Sequence, residues 1–252
     1  MSPGEIAAIA LAGAAAGAIN TLVGSGTLIT FPVLLAFGYP PVTANVSNTI
    51  GLVPGSVSGA VGYRRELRGQ RTRAVRLGIV SMLGGLTGAV LLLLLPSSAF
   101  AAIVPAFIAI ALVLTVLQPR IAVWLTRREI DLEGRSGGVL LGLAVYATGI
   151  YGGYFGAAQG IMLLAILGVA LRQDLQRTNA LKNVLAGLVN AVAGVYFVFA
   201  ANVEWAPALI IAASSIVGAQ LGARYGRRLP PRALRALIVA VGVFAIIRLV
   251  AW

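Results

Sequence analysis

No cysteine and no histidine occur in this chain of 252 residues. Disulfides, thiol chemistry, the usual zinc ligand sets and any histidine proton relay are therefore excluded, and no metal or cofactor is expected. Charge is scarce as well: 10% of residues are charged and mean hydropathy is +0.95. A soluble domain needs roughly 25% charged residues, so most of this surface must face lipid. Lysine is nearly missing too. Of 19 basic residues 18 are Arg, and Lys182 is the single lysine. No carboxylate falls in the middle of an apolar run, since Glu5, Asp174 and Glu204 lie at ends or in loops. Proton-coupled carriers usually need such a group. Sodium coupling through carbonyls and hydroxyls stays open, and an anion leaving a negative-inside cell needs no coupling residue. The residues from Met1 to Glu5 carry no basic stretch, so no cleaved signal peptide is expected.

What the chain does have is long apolar runs without period-two alternation, which in lipid must be helices. Ten segments are predicted, roughly 5–22, 27–38, 46–63, 77–95, 99–117, 138–154, 160–171, 180–201, 206–223 and 234–251. A full crossing takes about 20 residues. Segments 27–38 and 160–171 fall short, and are tilted, half-spanning or re-entrant. The longest polar stretch, Gln118 to Gly138, holds Arg120, Arg127, Arg128, Glu129, Asp131, Glu133 and Arg135. It divides the chain into a first repeat 1–118, a cytoplasmic linker 119–138 and a second repeat 139–252.

The halves match under a constant shift of 134 residues: Gly26 falls on Gly160, Asn45 on Asn179, Ser81 on Ser215, Gly84 on Gly218, Gly88 on Gly222 and Pro96 on Pro230. Loop charge then reverses between them. The loop after the third segment carries Arg64, Arg65, Arg68, Arg71, Arg73 and Arg76, whereas its counterpart near Glu204 has no basic residue. The turn at Pro96 is uncharged, whereas Arg224, Arg227, Arg228, Arg232 and Arg235 surround Pro230. Arg172, Arg177 and Lys182 mark the 172–182 loop, against an uncharged 38–45. By the positive-inside rule the halves are inverted, with five segments each and both termini outside. The net charge of +12 is thus read as topology-setting arginines, not as a nucleic-acid surface. The expected fold is an all-α polytopic membrane protein of two inverted repeats, with eight to ten transmembrane helices of which two are short or broken. Such repeats point to secondary transporters with a site at the repeat interface.

Three features are candidates for that site. The Gly-rich breaks, Gly24-Ser25-Gly26 and Gly152 to Gly160 with Gln159, let the chain turn at membrane depth and present helix N-termini to an anion. Close packing through small residues is the alternative. The polar helix starts place Asn45, Asn48 and Thr49, and Asn179, Lys182 and Asn183, on single helical faces. Their donors suit an oxyanion, and helix capping is the alternative. Lys182 stands in the first turn of a helix, where a cation is disfavoured, which suggests an anionic partner; a membrane-flanking topology residue is the alternative. Ser56 and Asn190 sit deeper and either line the path or bond helix to helix.

These motifs resemble the sulfite exporter TauE/SafE family of membrane permeases. The resemblance rests on Gly24-Ser-Gly26, Pro32, Gly38 and Ala44-Asn45, on Gly152-Gly-Tyr-Phe-Gly156, Gly160 and Arg177-Thr-Asn179-Ala, and on the stretch from Gly218 to Pro230. It spans nearly the whole chain. It implies transport of sulfite, sulfonates or related small anions, which family members export or import; export is expected here. Gln159 departs from the family, which often has glycine there. A multi-pass protein of the inner (plasma) membrane is implied, with a small anionic substrate, the lipid bilayer as surroundings, no nucleic acid, and a homodimer left open. A drug/metabolite-type exporter of neutral or cationic metabolites is the second reading, disfavoured by Lys182 and the carboxylate-free interior. An intramembrane enzyme lacks a nucleophile–base pair or a carboxylate–metal cluster.

Overall fold

The computed structural model describes residues 1–127, 135–171 and 173–225 and the single positions 236, 239, 240 and 243. Most of the predicted tenth segment, Arg227, Arg228, Arg232 and Arg235, Arg172 and the charged stretch Arg128 to Gly134 lie outside the described residues. Within them the secondary structure is helical: α1 (Pro3–Leu22), α2 (Thr27–Ala36), α3 (Pro41–Gly62), α4 (Arg71–Leu94), α5 (Ser97–Arg127), α6 (Arg135–Tyr154), α7 (Gln159–Ala170), α8 (Leu175–Ala200) and α9 (Trp205–Tyr225). Among the described residues α1, α4, α8, α9 and the Ser97–Leu117 part of α5 are long and apolar enough to cross a membrane.

The ends of these helices have local causes. Ser2 and Glu5 form a capping box: Glu5 N donates to Ser2 Oγ at 3.2 Å, Ser2 N donates to Glu5 Oε2 at 3.3 Å, and Pro3 fills the first turn. α3 begins five residues earlier than its predicted segment because Pro40-Pro41 sets the entry. α8 likewise begins at Leu175, where the Asp174 carboxylate accepts from Gln176 N and Arg177 N at 2.9 and 3.0 Å. Asn45, Asn48, Asn179 and Asn183 therefore lie beyond the first helix residues, and capping does not explain them. α5 runs on to Arg127, past Pro119 and into the stretch expected as linker.

The packing exchanges neighbours between halves. α1 lies against α9 and α6 against α4; α3 packs on α9 and α8 on α4; α3 and α8 meet each other. Small residues bring these backbones together. A Cβ on Gly218 would lie 1.9 Å from Ala14 O, and one on Gly88 2.0 Å from Ile150 O. Ser56 and Asn190 are hydrogen-bonded, Asn190 Nδ2 donating to Ser56 Oγ at 3.5 Å, and Asn20 Nδ2 reaches the same hydroxyl at 3.4 Å. These residues bond helix to helix.

One register differs from the constant shift. Gly24 and Gly156, 132 residues apart, both have positive φ (88° and 78°). Each accepts no helical continuation, and the N–H of each donates five residues back, to Ile19 O and Tyr151 O. The breaks thus align Gly26 with Ala158, not with Gly160. The cause is length: α7 has 12 residues and α2 has 10, so the shift of 134 returns only at α3 and α8.

Candidate functional site

The two breaks touch. Gly160 N donates to Gly24 O at 3.1 Å. A Cβ on Gly24 would lie 2.3 Å from Gly160 Cα, and one on Gly160 would lie 2.4 Å from Gly24 Cα. The crossing is therefore backbone against backbone, which only glycine permits. Gly26 is closed in as well, with Ala16 O 2.6 Å from a would-be Cβ.

The polar faces of α3 and α8 converge on this crossing, and each reaches the broken helix of the other half. Asn45 Nδ2 donates to Tyr154 O, the last carbonyl of α6, at 3.0 Å. Asn179 Nδ2 donates to Thr21 O, near the end of α1, at 3.2 Å, and Asn183 Nδ2 does so at 3.1 Å. Lys182 is fully buried; its Nζ donates to Asn20 O at 2.9 Å and to Thr21 O at 3.4 Å. Its stem lies along Gly160, where a Cβ would come within 3.0 Å of Cδ. Expected in the first turn of its helix, Lys182 lies beyond that turn because α8 begins at Leu175, so the dipole there does not disfavour it; its ammonium meets the negative C-terminal end of α1. An exposed membrane-flanking role is excluded by the burial. On the other half, where Asn48 occupies the place of Lys182, Asn48 Oδ1 accepts from Thr30 Oγ1 and Asn48 Nδ2 donates to Thr27 Oγ1 at 3.3 Å. Thr49 Oγ1 donates back to Asn45 O at 2.9 Å.

Every residue singled out from the sequence, namely Gly24, Ser25, Gly26, Asn45, Asn48, Thr49, Gln159, Gly160, Asn179, Lys182 and Asn183, is buried. The group is therefore shut off from both faces in this conformation. Asn45, Asn179 and Asn183 each give one of their two amide N–H donors to a backbone carbonyl, which leaves at most one N–H on each for an oxyanion. Thr21 O alone takes three donors, one more than its lone pairs serve well. What remains unpartnered is Ser25 Oγ, Tyr154 Oη, Gln159 Nε2, Asn45 Oδ1 and Asn179 Oδ1, all buried. The first three can donate to an anion. The third ammonium proton of Lys182 adds a charged donor. Buried polar groups without partners are rare, so each of these atoms is a candidate contact for a ligand or water.

Sequence reasoning did not find Tyr154, Thr27 or Thr30. The two threonines stand three apart in an otherwise apolar short helix, which was a usable signal. Tyr154 belongs to an aromatic group with Phe31, Phe100, Phe107 and Phe155 that walls one side of the break, Phe31 and Phe155 meeting edge-on at 5.2 Å; no local pattern sets it apart from core. Gln159 folds onto Gly152, where a Cβ would lie 2.3 Å from its Cδ. That glycine makes room for the amide at the break.

The model of the sulfite exporter TauE/SafE family matches residues 9–249. The chain belongs to this family. Among its relatives are the "Probable membrane transporter protein ORF9" of Sinorhizobium sp, 29% identical over 94% of this chain and 88% of the relative. "Probable membrane transporter protein YfcA" of Escherichia coli K12 is 25% identical over 90% and 82%. A "Probable membrane transporter protein" of Haemophilus influenzae is 28% identical over 84% and 81%. No solved structure is significantly similar. A TauE/SafE member with several membrane-length helices is a multi-pass membrane protein. Its relatives are named as transporters, a class that moves its substrate unchanged.

Proposed function

We propose that this protein is a secondary transporter that exports small anions, sulfite or sulfonates among them, across the inner (plasma) membrane. The observation that carries the reading is Lys182. It is fully buried where two broken helices cross, and it forms no ion pair with another described residue. A buried charge without a partner is costly, and an anion at the crossing offsets it. Ser25, Tyr154 and Gln159 supply neutral donors around that anion. A cationic cargo has no carboxylate to meet there, which argues against the drug/metabolite reading. Saturable uptake of labelled sulfite into inside-out vesicles is expected, with competition by sulfonates and none by amines. Amine competition, or no flux above empty vesicles, overturns the reading.

The site lies between two halves that we take as inverted repeats, 1–118 and 139–252. Supporting this, the neighbour pairs exchange between halves, and Asn190 bonds Ser56, its own equivalent 134 residues away. Equivalent residues that touch lie on the axis relating the copies. Ser97 and Arg68 are both exposed. A cysteine at Ser97 is expected to react with an impermeant thiol reagent from outside, and a cysteine at Arg68 only from inside. The reverse pattern, or equal labelling, rules out the topology.

A further inference from the structure

A second charged feature lies away from the crossing, where α3 and α9 end side by side. The seam between them is close: Gln220 Nε2 donates to Ser58 Oγ at 2.8 Å and to Ser58 O at 2.9 Å, and a Cβ on Gly62 would lie 2.5 Å from Ala223 Cβ. At its end opens a cavity of about 750 Å³ lined by Gly62, Arg64, Arg65, Glu66, Gln220 and Arg224. Three cations against one carboxylate leave the cavity positive. Arg224 lies 5.4 Å over the ring of Tyr225. Tyr225 is itself exposed, as aromatic rings at a membrane–water interface are.

Exposed apolar side chains lie on both helices beside the polar Ser58–Gln220 contact that leads to the cavity. On α3, Val57 and Val61 stand one turn apart on the side that continues to Arg64 and Arg65; on α9, Val217 and Leu221 continue to Arg224. All four are roughly half exposed or more. A free anion needs only the basic cavity. A phospholipid needs both parts, a basic pocket at headgroup level and an apolar track for its chains.

We propose that the α3–α9 seam binds an anionic phospholipid, with the phosphate between Arg64, Arg65 and Arg224 and the acyl chains along Val57, Val61, Val217 and Leu221. Planar guanidinium groups pair with phosphate oxygens through two parallel hydrogen bonds. The occupant is anionic because a zwitterionic headgroup would bring its own ammonium into a cavity that already holds three cations. This site is separate from the crossing and does not depend on which anion is carried.

Native mass spectrometry of the purified full chain tests it, with phosphatidylglycerol, phosphatidylcholine and inorganic phosphate as probes. Phosphatidylglycerol adducts are expected to survive activation that strips phosphatidylcholine, and millimolar inorganic phosphate should leave them in place. In the variant R64Q/R65Q/R224Q retention should fall on the order of a hundredfold, from about fivefold per arginine removed. Equal retention of the two lipids by the wild-type chain overturns the proposal without needing any variant. Displacement by inorganic phosphate would mean a free-anion pocket, not a lipid site. Unchanged retention in the triple variant moves the lipid elsewhere on the surface. Unchanged sulfite flux in that variant is expected and keeps this outcome apart from that of the transport reading.

Discussion

Gly24→Ala is expected to leave almost no folded protein. Two costs add at this position. Its φ of 88° is in the left-handed region, where a side chain costs about 1–2 kcal/mol. The new methyl would also lie 2.3 Å from Gly160 Cα, a backbone atom that cannot rotate away. Overpacking typically costs 1–3 kcal/mol even where side chains can shift, so a loss of about 4 kcal/mol is expected, a large part of the stability of a typical domain. Gly38 separates the two causes. It has nearly the same φ, 85°, with nothing within 4 Å of a would-be Cβ. Gly38→Ala should therefore melt only slightly below wild type. Gly160→Ala should fail as Gly24→Ala does. Melting curves and the yield of monodisperse protein check this. A Gly24→Ala protein that melts with Gly38→Ala would show that the breaks do not touch.

Lys182→Met is expected to raise the half-saturating anion concentration roughly ten- to a hundredfold, the worth of about 1.5–3 kcal/mol for one charged hydrogen bond. Methionine keeps the length of the stem beside Gly160 and removes the ammonium. Thr21 O keeps Asn179 and Asn183 as donors, so the end of α1 stays partly satisfied. Lys182→Arg keeps the charge but must fit a larger, planar group into a fully buried place. It should fall between wild type and Met in affinity, and below both in stability. The competing account makes Lys182 only a cap for α1. That account predicts a lower melting temperature in Lys182→Met with wild-type transport kinetics. Kinetics and melting, measured on the same preparation, separate the two.

Much of this was legible in the chain. The helices, the short pair at 27–38 and 160–171 and the polar faces of α3 and α8 follow from apolar runs, length and spacing. Less visible was what the polar groups would touch. The Asn45 and Asn179 amides are neutral side chains with both donor and acceptor ends, and nothing in the sequence says which end a fold will use. Here the carbonyls at broken helix ends take the donors, because those ends have no next turn to satisfy them. The constant shift misled at the breaks for a related reason. Gly26 and Gly160 are identical residues at a constant offset, but positive φ, not identity, marks equivalence, and two extra residues in α7 separate the two. Tyr154 was hidden because burial turns an ordinary aromatic into an unpartnered hydroxyl only when its neighbours are known.

Asn48 stands where the shift of 134 residues would repeat Lys182, so the crossing holds one lysine and not two, and one positive charge when that lysine is protonated. With a singly charged anion bound, that region is electrically silent. Without one it carries +1. The membrane voltage therefore acts mainly on the return of the empty protein, by up to about 2.3 kcal/mol per 100 mV if the charge crosses the whole field. On the export reading proposed above, a negative interior holds the vacant site facing the cytoplasm. Asn48→Lys would place a second charge there, leave the loaded protein with +1 as well, and make both legs of the cycle respond to voltage.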